Sequence, residues 1–270
     1  MKLSFSTLAC PDWTMPEIIA ITSRAGYDGI ELRFVENEDS LWKLGAFRGE
    51  ELPATKRALA DHGLGISCVD TGCRFHFPEA NERARWRVEG ERMAELAAEL
   101  GAPGIRVFGD TIQPGADRAS TRAWIADSKL ADKISAKGIE VWPETQGNFA
   151  GAAETMAILA DCGGPGIGVV WDPANCFLES EETPQKGAAL LGPSIRHTHI
   201  KDLLSNKDGW TPVLTGEGDF PLLEVRTALC GLAYTRFVSF EWEKKWHPEI
   251  PDASIALPHF ARWFREKWTS

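Results

Sequence analysis

One local pattern recurs along most of this chain: a glycine followed by isoleucine and a short apolar run. Glycine often ends a helix because it adopts left-handed backbone conformations at little cost, and a short run rich in β-branched residues is typical of a buried strand. The pattern therefore predicts a helix end and a strand start at each occurrence. It occurs in five segments: 29–32, 65–69, 104–108, 138–142 and 166–170.

Three further apolar runs, 3–9, 195–200 and 237–242, bring the predicted strands to eight. Successive strands begin roughly 26 to 42 residues apart, which leaves room for a crossover helix each time. Intervening segments such as 85–100 and 255–268 have helical apolar spacing. Alternation of strand and helix predicts a parallel sheet, and eight repeats favour a closed (β/α)8 barrel, the TIM barrel, over an open doubly wound sheet. The turn at 8–13 also lacks the glycines of a dinucleotide-binding fingerprint.

Composition supports one α/β domain. The chain has 270 residues with 43% hydrophobic content, and its prolines and glycines are spread out rather than gathered in a linker. We therefore expect a single TIM-barrel domain over residues 1–270. The formal charge of -10 argues against nucleic acid and anionic membrane surfaces as partners. Apolar runs are too short for a signal sequence or a membrane span, so we expect a cytoplasmic protein with reduced cysteines.

Four of the later predicted strands end in an acidic or imidazole side chain: Glu144, Asp172, His199 and Glu241. The carboxyl ends of TIM-barrel strands surround a common mouth, where reactive groups gather. Each residue alone is as readily a salt-bridging acid or a structural histidine, but four at successive strand ends favour a shared site. Such an oxygen-rich set with one imidazole suits Mn²⁺, Mg²⁺ or Co²⁺ and also accepts Zn²⁺.

The order of these four residues, together with the segment His-Thr-His-Ile-Lys-Asp at 197–202, resembles the sugar phosphate isomerase/epimerase family of xylose-isomerase-like TIM barrels. The likeness covers nearly the whole chain. It implies that the four residues coordinate one divalent metal ion, with Mn²⁺ as the first choice and Mg²⁺, Co²⁺ or Zn²⁺ as alternatives. It also implies that Glu144 and Glu241 double as the catalytic acid/base pair.

The chemistry that the resemblance implies is isomerisation or epimerisation of a sugar, sugar phosphate, keto-sugar or inosose. A metal ion over a carbonyl and its neighbouring hydroxyl makes the intervening C–H acidic and stabilises the enediolate, while a carboxylate removes the proton. A lyase or dehydratase acting on keto-sugars or keto-inositols would share this first step. A non-catalytic sugar-binding subunit and an apurinic-endonuclease-like hydrolase are the remaining alternatives. Such families commonly form dimers or tetramers, which leaves a homodimer or a homotetramer open.

Five further residues are candidates for contacts with the substrate: Asn175, Lys201, His197, Trp246 and His247. Asn175 stands three residues after the aspartate, where many sugar epimerases of this kind carry a histidine. His197 shares a strand face with His199, because strand side chains alternate. Trp246 and His247 follow the last strand, where aromatic and imidazole groups could line a sugar pocket as readily as pack on the rim.

Two charged motifs have a structural interpretation beside the functional one. Lys201-Asp202 could hold a substrate oxygen or phosphate, or form an ion pair at the barrel rim. Glu31, on the second predicted strand, is expected to anchor a neighbouring basic residue rather than to bind substrate.

Overall fold

The computed structural model describes residues 1–108, 111–164, 166–207 and 209–268. Its strands in chain order are β1 (Lys2–Phe5), β2 (Gly29–Leu32), β3 (Gly65–Asp70), β4 (Gly104–Val107), β5 (Glu140–Pro143), β6 (Val169–Trp171), β7 (Ile195–Ile200), β8 (Asp202–Asn206), β9 (Gly209–Val213) and β10 (Phe237–Phe240). Its α-helices are α1 (Met15–Ala25), α2 (Glu51–Asp61), α3 (Ala80–Leu100), α4 (Arg118–Asp127), α5 (Leu130–Ser135), α6 (Ala152–Cys162), α7 (Pro173–Ser180), α8 (Pro184–Leu191), α9 (Leu222–Gly231) and α10 (Ala253–Lys267). No helix in these ranges is long and apolar enough to cross a membrane.

Each of the eight predicted strands overlaps an observed strand, β1 to β7 and β10. The first differs in its end: β1 stops at Phe5, and Thr7–Ala9 forms a 3-10 turn instead. Ser6 begins this turn because its hydroxyl accepts the backbone N–H of Leu8 at 3.4 Å. Helix α3 begins at Ala80, earlier than the apolar spacing at 85–100 predicts.

The hairpin of β8 and β9 was not predicted from the sequence. These strands pair antiparallel from Asp202↔Val213 to Asn206↔Gly209. Asp208-Gly209 is the kind of dipeptide that favours tight hairpin turns, and it could have indicated the hairpin. Asp208 itself lies outside the described residues.

The chain divides into two compact units, here called the terminal unit (Met1–Ser67 with Thr198–Ser270) and the central unit (Cys68–His197). Both boundaries fall inside strands, one in β3 and one in β7. The single domain over 1–270 stays a prediction from the sequence.

In the terminal unit, parallel strands bring distant segments of the chain together. β1 pairs with β10, which pairs in turn with the end of β7, where Ser239 lies opposite His199. A parallel bridge between Ser6 and Glu31 joins the end of β1 to β2. Helix α10 packs on this sheet, and the ring of Phe260 stacks on that of Phe240 with ring centroids 4.3 Å apart. Phe260, Phe264 and Trp268 are buried, so the helical apolar spacing at 255–268 corresponds to core packing.

The central unit contains consecutive parallel strands. The end of β3 pairs with β4, β4 pairs with β5, and a bridge between Glu144 and Val170 links the end of β5 to β6. Trp142 is fully buried there and lies over Gly104, where an added Cβ would come 2.5 Å from the indole. Because the strands run in one direction, their carboxyl ends share one edge, and the acidic residues that follow β5 and β6 are neighbours.

Candidate metal centre

His199 and Glu241 lie next to each other in the terminal unit. His199 is in β7 and Glu241 follows the last residue of β10, so strand pairing sets their separation. Nδ1 of His199 is 3.3 Å from Oε1 of Glu241. The imidazole is fully buried and the glutamate is 6% exposed. An imidazole nitrogen and a carboxylate oxygen at this distance are two ligand atoms of the kind that bind divalent ions.

A second carboxylate contacts the other ring nitrogen of His199. Nε2 of His199 is 3.0 Å from Oε1 of Glu31, which is fully buried in β2. This contact agrees with the anchoring role expected for Glu31. A neutral imidazole carries only one ring proton, so the contacts at both nitrogens call for an imidazolium, a protonated carboxyl or a cation beside one of them.

Lys201 links two glutamates at the same strand ends. Its ammonium nitrogen is 2.8 Å from Oε2 of Glu241 and 2.7 Å from Oε1 of Glu243. Burial raises the pKa of Glu241, but Lys201 and His199 together outweigh burial and lower the pKa to about 2. Glu241 is therefore ionised at neutral pH, as a metal ligand must be. An ion pair was one of the two roles predicted for the Lys201-Asp202 motif, and the partners found for Lys201 are Glu241 and Glu243.

Asp202 has a structural role. Its carboxylate accepts the backbone N–H groups of Leu203, Gly216 and Gly218 at 2.7 to 3.0 Å. Burial raises the pKa of Asp202, against the opposing effect of these N–H donors. The aspartate thus holds the turn at 216–218 against the start of the β8–β9 hairpin.

Glu144 and Asp172 form the corresponding pair in the central unit. They follow β5 and β6, and their carboxylates offer ligand oxygens within 4.8 Å of each other. Both are buried, with exposures of 2% and 0%. Arg106 on β4 lies between Glu144 and the buried Asp70, with nitrogen to oxygen distances of 3.5 and 3.3 Å. Its guanidinium offsets the cost of burying two carboxylates.

The backbone around Asp172 is fixed on both sides. Oδ1 of Asp172 accepts the N–H groups of Ala174 and Asn175 at 2.9 and 3.0 Å and caps α7. The N–H of Asp172 donates to the hydroxyl of Thr145 at 2.8 Å. The side-chain amide of Asn175 donates to the carbonyl of Thr145 at 3.2 Å, which places Asn175 beside the ends of β5 and β6.

The other candidates for substrate contacts differ in accessibility. His197 is buried and stacks on Trp142 with ring centroids 6.2 Å apart. Trp246 is 55% exposed and meets the ring of Phe34 edge to face at 5.8 Å. The ring nitrogens of His247 lie 3.5 Å from a carboxylate oxygen of Glu243 and 3.2 Å from one of Glu249. Trp246 therefore presents aromatic surface after β10, while His197 belongs to the packed interior of the central unit.

Sequence reasoning missed Arg106. The residue is 3% exposed and sits in the apolar run 104–107, which reads as an ordinary buried strand. A charged residue inside such a run is itself a signal, because arginine is rarely buried without a partner. The sequence of this run does not show that the partners of Arg106 are Asp70 and Glu144.

The chain belongs to the xylose isomerase-like TIM barrel family, whose profile matches residues 19–266. The match confirms the fold class and the family that the strand-end residues indicated.

Solved structures with this fold include enzymes of more than one reaction class. D-psicose 3-epimerase in the presence of D-fructose has a TM-score of 0.80 at 19% identity, with 100% of each chain covered. The probable 3-DHS dehydratase AsbF of petrobactin synthesis from Bacillus anthracis has a TM-score of 0.79 at 19% identity, covering 98% of this chain and 99% of that one. The IOLI protein with a binding zinc atom has a TM-score of 0.80 at 16% identity, covering 97% and 96%. No functionally curated protein sequence matches this chain significantly.

Proposed function

We propose that the protein is a metal-dependent isomerase or epimerase of a small polyhydroxy carbonyl compound: a sugar, sugar phosphate, keto-sugar or inosose. In this proposal one divalent ion is held by four residues, Glu144, Asp172, His199 and Glu241. The observation that carries it is that each unit offers a buried pair of ligand-type side chains at the ends of its parallel strands. The carboxyl ends of TIM-barrel strands open to a common mouth, which supports assigning both pairs to one site.

The donor set fits a divalent ion that accepts oxygen and imidazole ligands together. Three carboxylates and one imidazole suit Mn²⁺ first, with Mg²⁺, Co²⁺ and Zn²⁺ as alternatives. The contacts of His199 also suit a divalent ion. One of its ring nitrogens faces the carboxylate of Glu241, and a cation would bind both of these ligand atoms.

Glu144 and Glu241 are assigned the proton transfers. A divalent ion bound there would polarise the carbonyl and the adjacent hydroxyl of the substrate, which acidifies the C–H between them. Glu241 starts as a carboxylate, because the ammonium of Lys201, 2.8 Å away, lowers its pKa against the effect of burial. Proton removal by one glutamate and return by the other on the opposite face inverts the carbon, and return to the neighbouring carbon isomerises the substrate.

Solvent exchange at the substrate carbon tests this proposal. Incubation with a panel of keto-sugars in D₂O should incorporate deuterium next to the carbonyl, and Glu144→Gln or Glu241→Gln should slow incorporation by about 10²- to 10⁴-fold. Glu140→Gln is the matched control, because Glu140 begins the same strand as Glu144 but pairs with Arg196 at 2.8 Å. Protein that contains no stoichiometric divalent ion and exchanges no substrate hydrogen would refute the proposal.

A lyase or dehydratase is the second candidate. The structural likeness to a probable 3-DHS dehydratase supports this second candidate, since proton removal next to a carbonyl also initiates elimination. Mass analysis of the products separates the two. An isomerase or epimerase conserves the mass of its substrate, whereas a lyase releases water or a larger fragment.

A further inference from the structure

We infer that Glu31 is a positioning residue for the proposed metal site, holding the imidazole of His199 with its proton on Nε2 and its lone pair on Nδ1. This inference deepens the proposed function and rests on it. Nothing in the strand-end pattern assigns Glu31 to the site, since it lies on β2 and 168 residues before His199.

The contact between the two residues is the reason for placing the ring proton on Nε2. Oε1 of Glu31 is 3.0 Å from Nε2 of His199, and both side chains are fully buried. With Glu31 as a carboxylate, its oxygens only accept hydrogen bonds, and Nε2 is the donor. Glu31 is held in place by its own strand and by the parallel bridge to Ser6. The ring of His199 is therefore anchored through a rigid neighbour rather than a loop.

With the proton on Nε2, the other nitrogen presents a lone pair toward Glu241. Nδ1 is 3.3 Å from Oε1 of Glu241, so two acceptors face each other. A divalent cation binding both atoms resolves that conflict. The arrangement is then carboxylate, histidine and metal in series, in which the outer carboxylate sets ring orientation and raises ligand basicity.

The charges of the surrounding side chains also favour a cation beside Nδ1 of His199. Glu31 and Glu241 contact the ring, Lys201 contacts Glu241, and Glu243 contacts Lys201. These contacts contain three carboxylates and one ammonium, so a cation at Nδ1 is electrostatically favoured. Lys201 neutralises Oε2 of Glu241 and leaves Oε1 directed at the imidazole.

Affinity for Mn²⁺ provides the first test. The metal-stripped protein is titrated with Mn²⁺ by calorimetry, and Glu31→Gln is expected to weaken binding about 10- to 100-fold with one ion per chain retained. Glu243→Gln removes the same charge from the same group of side chains and measures the purely electrostatic share. The inference requires that Glu31→Gln exceed this control by about tenfold.

Nitrogen-15 NMR of the Zn²⁺-loaded wild-type protein provides the second test and needs no substitution at position 31. The spectrum should show the ring of His199, assigned by its loss in His199→Gln, with a protonated Nε2 and a metal-bound Nδ1. A protonated Nδ1, or equal Mn²⁺ affinities for Glu31→Gln and Glu243→Gln, would overturn the inference while leaving the proposed function intact. A wild-type protein that binds neither Mn²⁺ nor Zn²⁺ would overturn both.

Discussion

The ammonium nitrogen of Lys201 lies 2.8 Å from Oε2 of Glu241, and both side chains are buried. A positive charge thus sits directly beside a carboxylate that the proposed function uses as a metal ligand and proton carrier. The pair keeps Glu241 ionised, but its ammonium also repels a divalent cation bound to the same carboxylate.

Replacing Lys201 by methionine should therefore affect metal and substrate in opposite directions. Removal of the ammonium should tighten Mn²⁺ binding roughly tenfold. If Lys201 also holds a substrate oxygen, loss of a charge-assisted hydrogen bond should raise KM by about 10-fold or more. Lys245→Met is the control, because Lys245 bonds to Asn37 at 2.9 Å in the same unit. Weaker Mn²⁺ binding in the Lys201 variant would show that the ion pair chiefly supports the shape of the site.

Replacing Arg106 by methionine should destabilise the protein strongly. The change leaves the carboxylates of Asp70 and Glu144 buried without the guanidinium between them, which costs about 3–5 kcal/mol. Urea denaturation measures the loss, and adding Asp70→Asn should recover part of it. Arg122→Met is the control, since the Arg122–Asp161 pair is partly exposed and is worth about 0–1 kcal/mol. Equal losses in the two arginine variants would contradict this account of the buried pair.

An alanine at position 104 should clash with Trp142. The added Cβ would lie 2.5 Å from the indole of a fully buried residue, and overpacking of this kind costs about 1–3 kcal/mol. Gly45→Ala is the matched control, because nothing beyond its own chain neighbours lies within 4 Å of the corresponding Cβ position. Thermal unfolding of the two variants checks the expectation. A Gly104→Ala protein as stable as the Gly45→Ala protein would show that Trp142 relaxes without cost.

The capping box at the start of α1 should give a pH-dependent contribution to stability. The backbone N–H and the hydroxyl of Thr14 donate to Glu17 at 2.8 and 2.7 Å and lower the pKa of Glu17. Because the folded pKa lies below the unfolded one, the stabilisation is present above the unfolded pKa and is lost as the pH falls through the folded pKa. The Tm difference between wild type and Glu17→Gln should therefore shrink from about pH 7 to about pH 3. A Tm difference that does not change with pH would show that the ionised form of Glu17 is not the source of the stabilisation.

Local patterns predicted the strands because each pattern reports its own segment. The glycine-isoleucine runs correspond to β2 through β6, and the aromatic spacing near the C-terminus corresponds to α10. The first strand was predicted too long because the hydroxyl of Ser6 caps a 3-10 turn, an interaction that apolar periodicity does not report. The β8–β9 hairpin was not predicted, because the prediction relied on strands that alternate with helices. This hairpin joins two consecutive strands without a helix between them.

The sequence by itself determined the repeating strand and helix pattern, the TIM-barrel class and the residue types at the strand ends. Alternation along a strand also decided which side chains share a face, as for His197 and His199. Only the tertiary structure decided that Glu31 contacts His199 and that Arg106 lies between Asp70 and Glu144. The reason is physical: periodicity describes one segment at a time, whereas these contacts depend on which strands pair, in what register, and which buried charges then need partners.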